Sequence, residues 1–275
     1  MFKFKKVRNM ILFLLSIVLF VLYLFPFVLI ILNSFKDRLA IVKDPLGLPE
    51  SWSLQNYIDA FNTMNFGSAF MNSLIITVVS VTLIVLFGAT LAYFLVRWKW
   101  KFNSIILMVL VASMIIPFQA LMIPFVQVYG TLDLLNSIWT LSFFYLGFGV
   151  SLATFMYHGF IKNIPVELEE AAMIDGASKF QVFWRIVFPM LAPITTTIAI
   201  LDVLWIWNDF LLPSLVLISE ESRTIPLSTF YFFGKYTSNY GPAMAALVLA
   251  VIPVLAFYLV AQKQIIKGVM EGGIK

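Results

Sequence analysis

The 275-residue sequence contains no cysteine and one histidine, His158. Without cysteine the chain can form neither disulfide bonds nor thiolate metal sites, and it has no cysteine nucleophile. A single histidine argues against a histidine-based metal centre. We assign His158 no role, because a lone histidine at a helix end more often packs than relays protons. We therefore expect neither metal ligands nor catalytic residues in this chain.

Charged residues are also scarce, at 12% of the chain, whereas 61% of the residues are hydrophobic. A soluble domain carries roughly 25% charged residues, so this supply cannot cover a surface that faces water. The bilayer is the natural solvent for such a chain, and we expect contact with membrane lipid. The same composition excludes a disordered protein, and a net charge of +4 is too small to favour nucleic-acid binding.

Six apolar stretches each have about the 20 residues needed to cross a hydrocarbon core of about 30 Å. They cover residues 10–32, 70–96, 105–129, 138–160, 191–218 and 242–261. Several contain proline, which membrane helices tolerate where neighbouring groups satisfy the backbone. The first stretch is longer than a signal-peptide core and precedes no small-residue cleavage site, so we expect it to be retained. The sequence predicts an all-α polytopic membrane protein with six transmembrane helices.

The distribution of lysine and arginine predicts the orientation of these spans. With the N-terminus in the cytoplasm, most of the 18 basic residues fall in cytoplasmic segments, as the positive-inside rule requires. An even number of spans then places both termini in the cytoplasm. No internal repeat is visible, which weakens the case for a secondary transporter built from inverted repeats.

The longest polar interruption on the predicted cytoplasmic side covers about residues 158–190 and predicts two short helices. Pro165 suits the first turn of the first helix, where its missing N–H costs nothing. Gly176 is expected to end that helix in a left-handed conformation. Negative charge is favoured at the start of a helix by the helix dipole, and the glutamates there are Glu167, Glu169 and Glu170.

Ser178 and Gln181 form an S-x-x-Q capping box, which predicts the start of the second helix. Apolar residues such as Phe180 and Trp184 belong to this loop although it lies outside the apolar stretches. Such a loop either lies on the membrane surface or docks in a groove of another protein. We favour the docking interpretation.

The segment EAAMIDGASKFQVFWRIVFP resembles the EAA loop of bacterial ABC importer permeases. The family pattern is Glu-Ala-Ala, three residues, glycine, about nine further residues and a hydrophobic-x-Pro ending. Phe188 stands where the family usually has leucine. In that family the loop is a coupling helix that sits in a cleft of the ATPase subunit. The matching positions are Glu170, Ala171, Ala172, Gly176, Ile186 and Pro189.

The resemblance covers residues 70 to the C-terminus. Within the family, the chain looks like the second permease subunit of the oligosaccharide (maltose-type) group. It implies a type I ABC importer permease fold in the bacterial inner (plasma) membrane. Residues 1–69 would hold the first span and an outer loop, residues 70–261 the permease core, and residues 262–275 a cytoplasmic tail. That tail resembles the family's Gly-rich ending, which reaches the ATPase dimer through positions matching Gly268, Gly272 and Gly273.

The resemblance also implies roles for residues of the loop. Glu170 would hold the loop by pairing with a basic group or by capping backbone N–H groups. Ala171 and Ala172 would permit close approach to the ATPase. The full set of expected ATPase-coupling residues is Glu170, Ala171, Ala172, Ile174, Asp175, Gly176, Phe180 and Phe183.

The chain has no G-x-x-x-x-G-K-[ST] phosphate loop, so we do not expect it to hydrolyse ATP or to be an enzyme. The resemblance implies a complex with a second permease subunit, an ATPase dimer and an extracytoplasmic solute-binding protein. ATP and magnesium would be bound by the partner ATPase, and this chain would need no cofactor. Its expected function is to form half of the translocation pathway for a sugar or oligosaccharide.

Polar and aromatic residues near the fifth stretch are candidates for the substrate path or a gate: Asp202, Trp205, Asn208 and Asp209. Ionisable groups at membrane depth are functional hypotheses by default. Aromatic side chains such as Trp205 can stack on sugar rings, although aromatics at span ends usually anchor the helix at the interface. Asn208 and Asp209 are expected near the outer end, where a gate or a contact with the binding protein is as good an interpretation as a sugar site.

Three alternative functions stay open. An ABC permease for amino acids, phosphate or phosphonate would carry the same loop. A proton- or sodium-driven transporter would need buried acids on discontinuous helices, and Asp202 and Asp209 are the residues available for it. A membrane enzyme would need a catalytic cluster at one membrane face, and no motif of that kind is present.

Overall fold

The computed structural model describes residues 2–230, 232 and 240–273, and it describes side chains for residues 9–230, 232 and 240–263. Within these ranges the chain is helical and contains no strand. A π-helical turn occupies Phe183–Val187 and a 3₁₀ turn occupies Glu220–Ser222. The α-helices are α1 Phe2–Asn33, α2 Arg38–Lys43, α3 Gln55–Thr63, α4 Phe66–Arg97, α5 Asn103–Ser113, α6 Phe118–Thr131, α7 Ile138–Ile161, α8 Glu167–Ile174, α9 Lys179–Val182, α10 Phe188–Met190, α11 Ala192–Asn208, α12 Leu211–Val216, α13 Ile225–Phe230 and α14 Tyr240–Gly273.

Four helices in the described ranges are long and apolar enough to cross a membrane unbroken: α1, α4, α7 and α14. They coincide with the first, second, fourth and sixth apolar stretches. Two further crossings arise if each of two bent helix pairs counts as one span. The structure is therefore consistent with six crossings, of which two are broken.

The predicted span 105–129 is not one continuous helix but a bent pair of helices, which can count together as one crossing. The chain forms α5 and α6, whose axes differ by 99° across a short break. Proline disfavours helical geometry in the residue before it, here Ile116. Pro117 itself is extended, at φ −67° and ψ 135°, and caps the start of α6.

The predicted span 191–218 is also interrupted. α11 ends at Asn208, and Asp209 is extended with φ −72° and ψ 132°. The Asp209 Oδ1 atom accepts a hydrogen bond of 2.9 Å from the Leu211 N–H, which begins the short helix α12. At the other end, Lys179–Met190 and Ala192–Asn208 are bent by 73°. The residues of α11 and α12 are mostly apolar in both helices, but the backbone turns between these two helices because the Asp209 side chain caps the start of α12.

The chain divides into two compact units, one formed by residues 1–67 and 228–255 and the other by residues 68–227 and 256–275. The domain division expected from the sequence stays a prediction. In the first unit, Asn56 of α3 fixes the chain that follows α1. Its Nδ2 atom donates to the carbonyl oxygens of Ser34 and Lys36, each at 2.9 Å. The Ser34 hydroxyl also lies 2.7 Å from the hydroxyl of Tyr57.

In the second unit, α4 and α7 are in close contact through small residues. A Cβ atom on Gly88 of α4 would lie 2.8 Å from the Cβ of Ala153 in α7 and 3.5 Å from its backbone carbon. Membrane helices use such small residues to bring their backbones together, because lipid provides no hydrophobic force between them. Buried residues of both helices, including Ile84 and Tyr145, join the core of this unit.

The close approach at Gly88 predicts that Gly88→Leu destabilises the protein. The added side chain would force α4 away from α7, at a cost of about 1–3 kcal/mol for overpacking. Thermal unfolding of the purified protein in detergent should show a lower midpoint. Gly147→Leu is the matched control, because a Cβ at Gly147 in α7 meets no atom within 4 Å. Equal midpoints for the two variants would contradict this account of the α4–α7 contact.

Candidate functional site

The loop between α7 and α11, here called the coupling loop (residues 162–191), is the candidate site. Its first helix, α8, ends in a Schellman motif. The N–H of Gly176 donates to the carbonyl of Met173 at 3.1 Å, and the N–H of Ala177 donates to the carbonyl of Ala172 at 3.0 Å. Gly176 has φ +90°, a conformation that costs glycine little because it has no Cβ. The predicted left-handed cap is confirmed.

The second helix of the coupling loop begins with the predicted capping box. The Gln181 N–H donates to the Ser178 Oγ at 3.3 Å, and the Ser178 N–H donates to the Gln181 Oε1 at 2.8 Å. The helix then widens into the π-helical turn Phe183–Val187. The prediction for Pro165 is corrected by a few residues: it precedes α8, whose N-cap is Val166.

Apolar side chains of the coupling loop are exposed to solvent. Ile174, at the end of α8, is 85% exposed, and Phe180, in α9, is 73% exposed. Large exposed apolar residues beside charged ones are typical of an interaction surface. The expected coupling residues Glu170, Ala171, Asp175 and Gly176 are exposed on the same loop.

Two expected coupling residues lie inward instead. Ala172 is half-buried against the core of the second unit. Phe183 is buried, and its ring centroid lies 4.9 Å from that of Tyr93 in α4 and 4.9 Å from that of Trp184. These positions attach the coupling loop to the helices behind it.

Glu169 makes the contacts that the sequence analysis expected of Glu170. Its side chain is 5% exposed, and its Oε1 atom accepts a hydrogen bond of 2.6 Å from Nε of Arg97, the last residue of α4. Its Oε2 atom accepts a hydrogen bond of 2.7 Å from the hydroxyl of Tyr93, one turn earlier in α4. Glu170, to which the sequence analysis gave the loop-holding role, is exposed and forms no ion pair with any described residue.

Arg97 joins three parts of the second unit. Besides the ion pair with Glu169, its Nη2 atom donates to the carbonyl oxygens of Ile161, the last residue of α7, at 3.3 Å, and of Ile164 at 2.8 Å. Its side chain is 13% exposed. The sequence offered a partial signal, since an arginine that becomes buried at the end of a helix requires a partner such as a carboxylate, and three glutamates begin α8.

A second contact between α4's end and the coupling loop is more exposed. The Lys179 ammonium lies 4.7 Å from the ring centroid of Trp98, within the range of a cation–π interaction. Lys179 begins α9, so both helices of the coupling loop are connected to residues 97 and 98. The exposed contact is worth less than the buried ion pair, because water screens it.

Of the four candidate substrate-path residues, Trp205 and Asp209 both contact Tyr145, whereas Asn208 and Asp202 lie outside this group. The Tyr145 hydroxyl donates to Asp209 Oδ2 at 2.8 Å, and the Tyr145 and Trp205 ring centroids are 5.5 Å apart. Asn208 donates from Nδ2 to the carbonyl of Leu204 in its own helix at 2.7 Å. Asp202 is 5% exposed, and its Oδ2 atom has no hydrogen-bond partner among the described residues.

The remaining expectations concern the tail and metals. The backbone of α14 is helical through Gly273, but the surroundings of Gly268, Gly272 and Gly273 lie outside the residues whose side chains the structure describes. Their contact with an ATPase stays a prediction. Among the described residues, no three His, Asp or Glu side chains are grouped closely enough to hold a metal ion.

Residues 84–271, more than half of the chain, match the family described as "binding-protein-dependent transport system inner membrane component". The chain belongs to this family of ABC importer permease subunits. The expected permease class is thereby confirmed, as is the all-α polytopic fold, and the protein is not itself an enzyme. Its multi-pass membrane location follows, whereas the side of the membrane on which its termini lie stays a prediction.

Several curated relatives match over more than nine tenths of both chains, among them three sugar-transport permeases. A probable starch degradation products transport system permease protein of Thermoanaerobacterium thermosulfurigenes is 46% identical, covering 95% of this chain and 95% of the relative. A multiple sugar-binding transport system permease protein of Streptococcus mutans is 36% identical, covering 93% of each. A melibiose/raffinose/stachyose import permease protein of Bacillus subtilis is 33% identical, covering 91% of each.

One solved structure supports the fold. It is described as a bacterial ABC transporter involved in the import of the acidic polysaccharide alginate. It aligns with a TM-score of 0.76 over 94% of this chain and 96% of that chain, at 22% identity. This likeness supports the all-α fold of the chain.

The geometry of the α8 cap predicts that Gly176→Val abolishes substrate uptake while the protein stays in the membrane. Valine is strained at φ +90°, so the loop would lose its shape. Gly176→Asn is the matched control, since asparagine tolerates left-handed backbone better than other non-glycine residues, and it should retain part of the uptake. Uptake assays normalised to the amount of protein in the membrane test both variants. Valine uptake near the wild-type level would contradict the expected role of the cap.

Proposed function

We propose that this chain is a permease subunit of an ATP-driven importer of oligosaccharides, and that products of starch degradation are the first substrates to test. The observation that carries the importer function is the coupling loop, which is internally capped, anchored to α4 and exposed at Ile174 and Phe180. A loop that is held firmly against α4 and exposes apolar side chains on its free surface is suited to bind in a cleft of a partner protein. The sugar class is supported by the names of the relatives, above all the one that is 46% identical.

In this proposal the chain works in a complex with a second permease subunit, an ATPase dimer and an extracytoplasmic solute-binding protein. The coupling loop and both termini lie in the cytoplasm, and the ATPase dimer binds ATP and magnesium. ATP binding closes the dimer and displaces the coupling loop, and the membrane helices then change the side to which the pathway is open. Such a change needs an element with two arrangements whose balance a ligand shifts.

The Tyr145, Trp205 and Asp209 group is the candidate for contact with the sugar or for the outer gate. It combines an aromatic face with a carboxylate whose two oxygens each accept one hydrogen bond within the chain. Sugar recognition commonly pairs an apolar ring face with a few polar groups that fix orientation. Asn208 is less suited to this role, since its amide is engaged by its own helix.

Recovery of the partners tests the proposed function directly. A tagged copy would be purified from its native membrane in mild detergent, and the proteins that accompany it would be identified by mass spectrometry. We expect an ATPase, a second permease and ATP hydrolysis stimulated by maltooligosaccharides together with the binding protein. Recovery of an intact chain alone would contradict the proposal, and stimulation by a different solute would replace the sugar part of it.

The exposed carboxylate of Glu170 predicts that Glu170→Lys weakens attachment of the ATPase. Reversing the charge on the outer face of α8 would place a positive group where the family resemblance expects an acid. The ratio of ATPase to permease after affinity purification measures the effect, which we expect to be a loss of at least roughly fivefold, as for a rim charge worth about 1 kcal/mol. Glu167→Lys, another exposed acid of the first turn of α8, is the control. An unchanged ratio for both variants would count against the Glu170 contact.

The alternative of an ion-driven transporter, left open by the sequence, can be tested at Asp202, whose buried Oδ2 atom has no hydrogen-bond partner among the described residues. The variant Asp202→Asn separates the two candidates. An ATP-driven importer should keep sugar-stimulated ATP hydrolysis, and uptake by sealed vesicles should require ATP but no ion gradient. Uptake that depends on a proton or sodium gradient and is lost in Asp202→Asn would instead favour the ion-driven candidate.

A further inference from the structure

Two adjacent glutamates of α8 have opposite surroundings. Glu170 is exposed, whereas both carboxylate oxygens of Glu169 are engaged by α4, one by Arg97 and one by Tyr93. Neighbouring positions on a helix point in different directions, so one of them can face a partner protein while the other faces the interior. The two carboxylates therefore serve different contacts.

We propose that the Arg97–Glu169 ion pair, completed by the Tyr93 hydroxyl, is the link through which a displacement of the coupling loop reaches α4. Glu169 and Arg97 are then positioning residues for coupling, distinct from the residues that attach the ATPase. This inference rests on the proposed function, because it specifies how the importer converts movement of the coupling loop into movement of a membrane helix.

The contacts of the pair make it suited to transmit movement. The guanidinium is a rigid fork, and here Nε bonds the Glu169 carboxylate while Nη2 bonds backbone carbonyls of Ile161 and Ile164. Separating a buried pair leaves an unpaired charge in a medium that solvates it poorly. Moving α8 and α4 together keeps the two hydrogen bonds to Glu169, whereas sliding one helix past the other breaks both.

The movement has a path beyond the ion pair. Arg97 and Tyr93 belong to α4, and the same helix packs against α7 at Gly88 and Ala153. The Lys179–Trp98 contact is the exposed counterpart on the other half of the coupling loop. Because it is screened by water, it resists separation less than the buried pair does.

The test measures transport and ATP hydrolysis separately in the native complex reconstituted in vesicles. In the single variants Glu169→Ala and Arg97→Ala, we expect the ATPase to co-purify and hydrolyse ATP, while sugar uptake per ATP falls at least roughly tenfold. The double variant should be no worse than either single variant, because both remove the same link. Glu167→Ala, an exposed acid in the same helix, should leave the ratio unchanged.

A second experiment uses the absence of cysteine from the chain. Arg97→Cys with Glu169→Cys removes the ion pair and places two thiols where a bifunctional thiol reagent of matching length can join them. We expect the double variant to lose uptake per ATP, and the tether to restore it to at least half of the wild-type value. Arg97→Cys alone, treated with the same reagent, is the control and should not recover. Recovery cannot come from a protein that failed to fold.

The outcomes separate this inference from the proposed function. If the wild-type complex shows neither an ATPase nor sugar-stimulated hydrolysis, the proposed function fails. If the wild type transports and the alanine variants keep the wild-type uptake per ATP, the inference is overturned. Loss of the assembled complex in both the alanine and the cysteine variants also overturns it, because the pair would then serve folding alone. A tethered variant that assembles but does not recover uptake overturns it as well.

Discussion

The Arg97 guanidinium lies where the end of α4, the end of α7 and the start of the coupling loop meet. Its buried positive charge requires hydrogen-bond acceptors around it. Arginine keeps its charge in proteins and offers five donors in a fixed geometry. Here a buried carboxylate and two backbone carbonyls accept from it. Removing one partner of such a buried pair costs about 3–5 kcal/mol, a large fraction of the 5–15 kcal/mol that separates folded from unfolded protein. The need to keep Glu169 within hydrogen-bonding distance of Arg97 therefore constrains the position of α8 relative to α4.

Around this anchor, the coupling loop is shaped by local interactions that need no partner. The Schellman motif at Gly176 and the capping box at Ser178 satisfy the backbone groups at the turn between α8 and α9. Because these interactions shape the turn without help from Ile174 and Phe180, both of these side chains remain exposed. The loop thus has a polar, hydrogen-bonded turn, an ion pair to α4 and an exposed apolar surface. This arrangement is expected of an element that transmits movement between a partner protein and a membrane helix.

Local features of the site could be predicted from the sequence, because their causes lie within a few residues. The cap at Gly176 and the box formed by Ser178 and Gln181 depend on residue types at fixed spacing, and both are present as predicted. The choice between Glu169 and Glu170 could not be made in this way. It depends on how α8 is rotated against α4, and that rotation is set by contacts between residues more than 70 positions apart.

The membrane helices show the same limit. Composition located the apolar stretches, since the transfer of side chains to lipid is nearly independent of backbone direction. It did not reveal that the chain turns by 99° between α5 and α6 or by 73° before α11. A bent helix pair and a straight helix can have equally apolar side chains, so composition does not distinguish them. Pro117 was a local signal for the 99° turn. The separate interruption after α11, at Asp209, depends on the carboxylate of Asp209 accepting from the Leu211 N–H.

The surface of α1 has a consequence for how the protein changes over evolution. An 18-residue window within Asn9–Asn33 contains no residue that is buried by the part of the chain that the structure describes. Exchanges among leucine, isoleucine, valine and phenylalanine there leave no cavity inside this subunit, so their effect on its own stability should be small, within roughly 0.5 kcal/mol. The positions in α1 that resist such exchange among relatives would therefore trace the footprint of whatever surrounds the helix, lipid or neighbouring subunit.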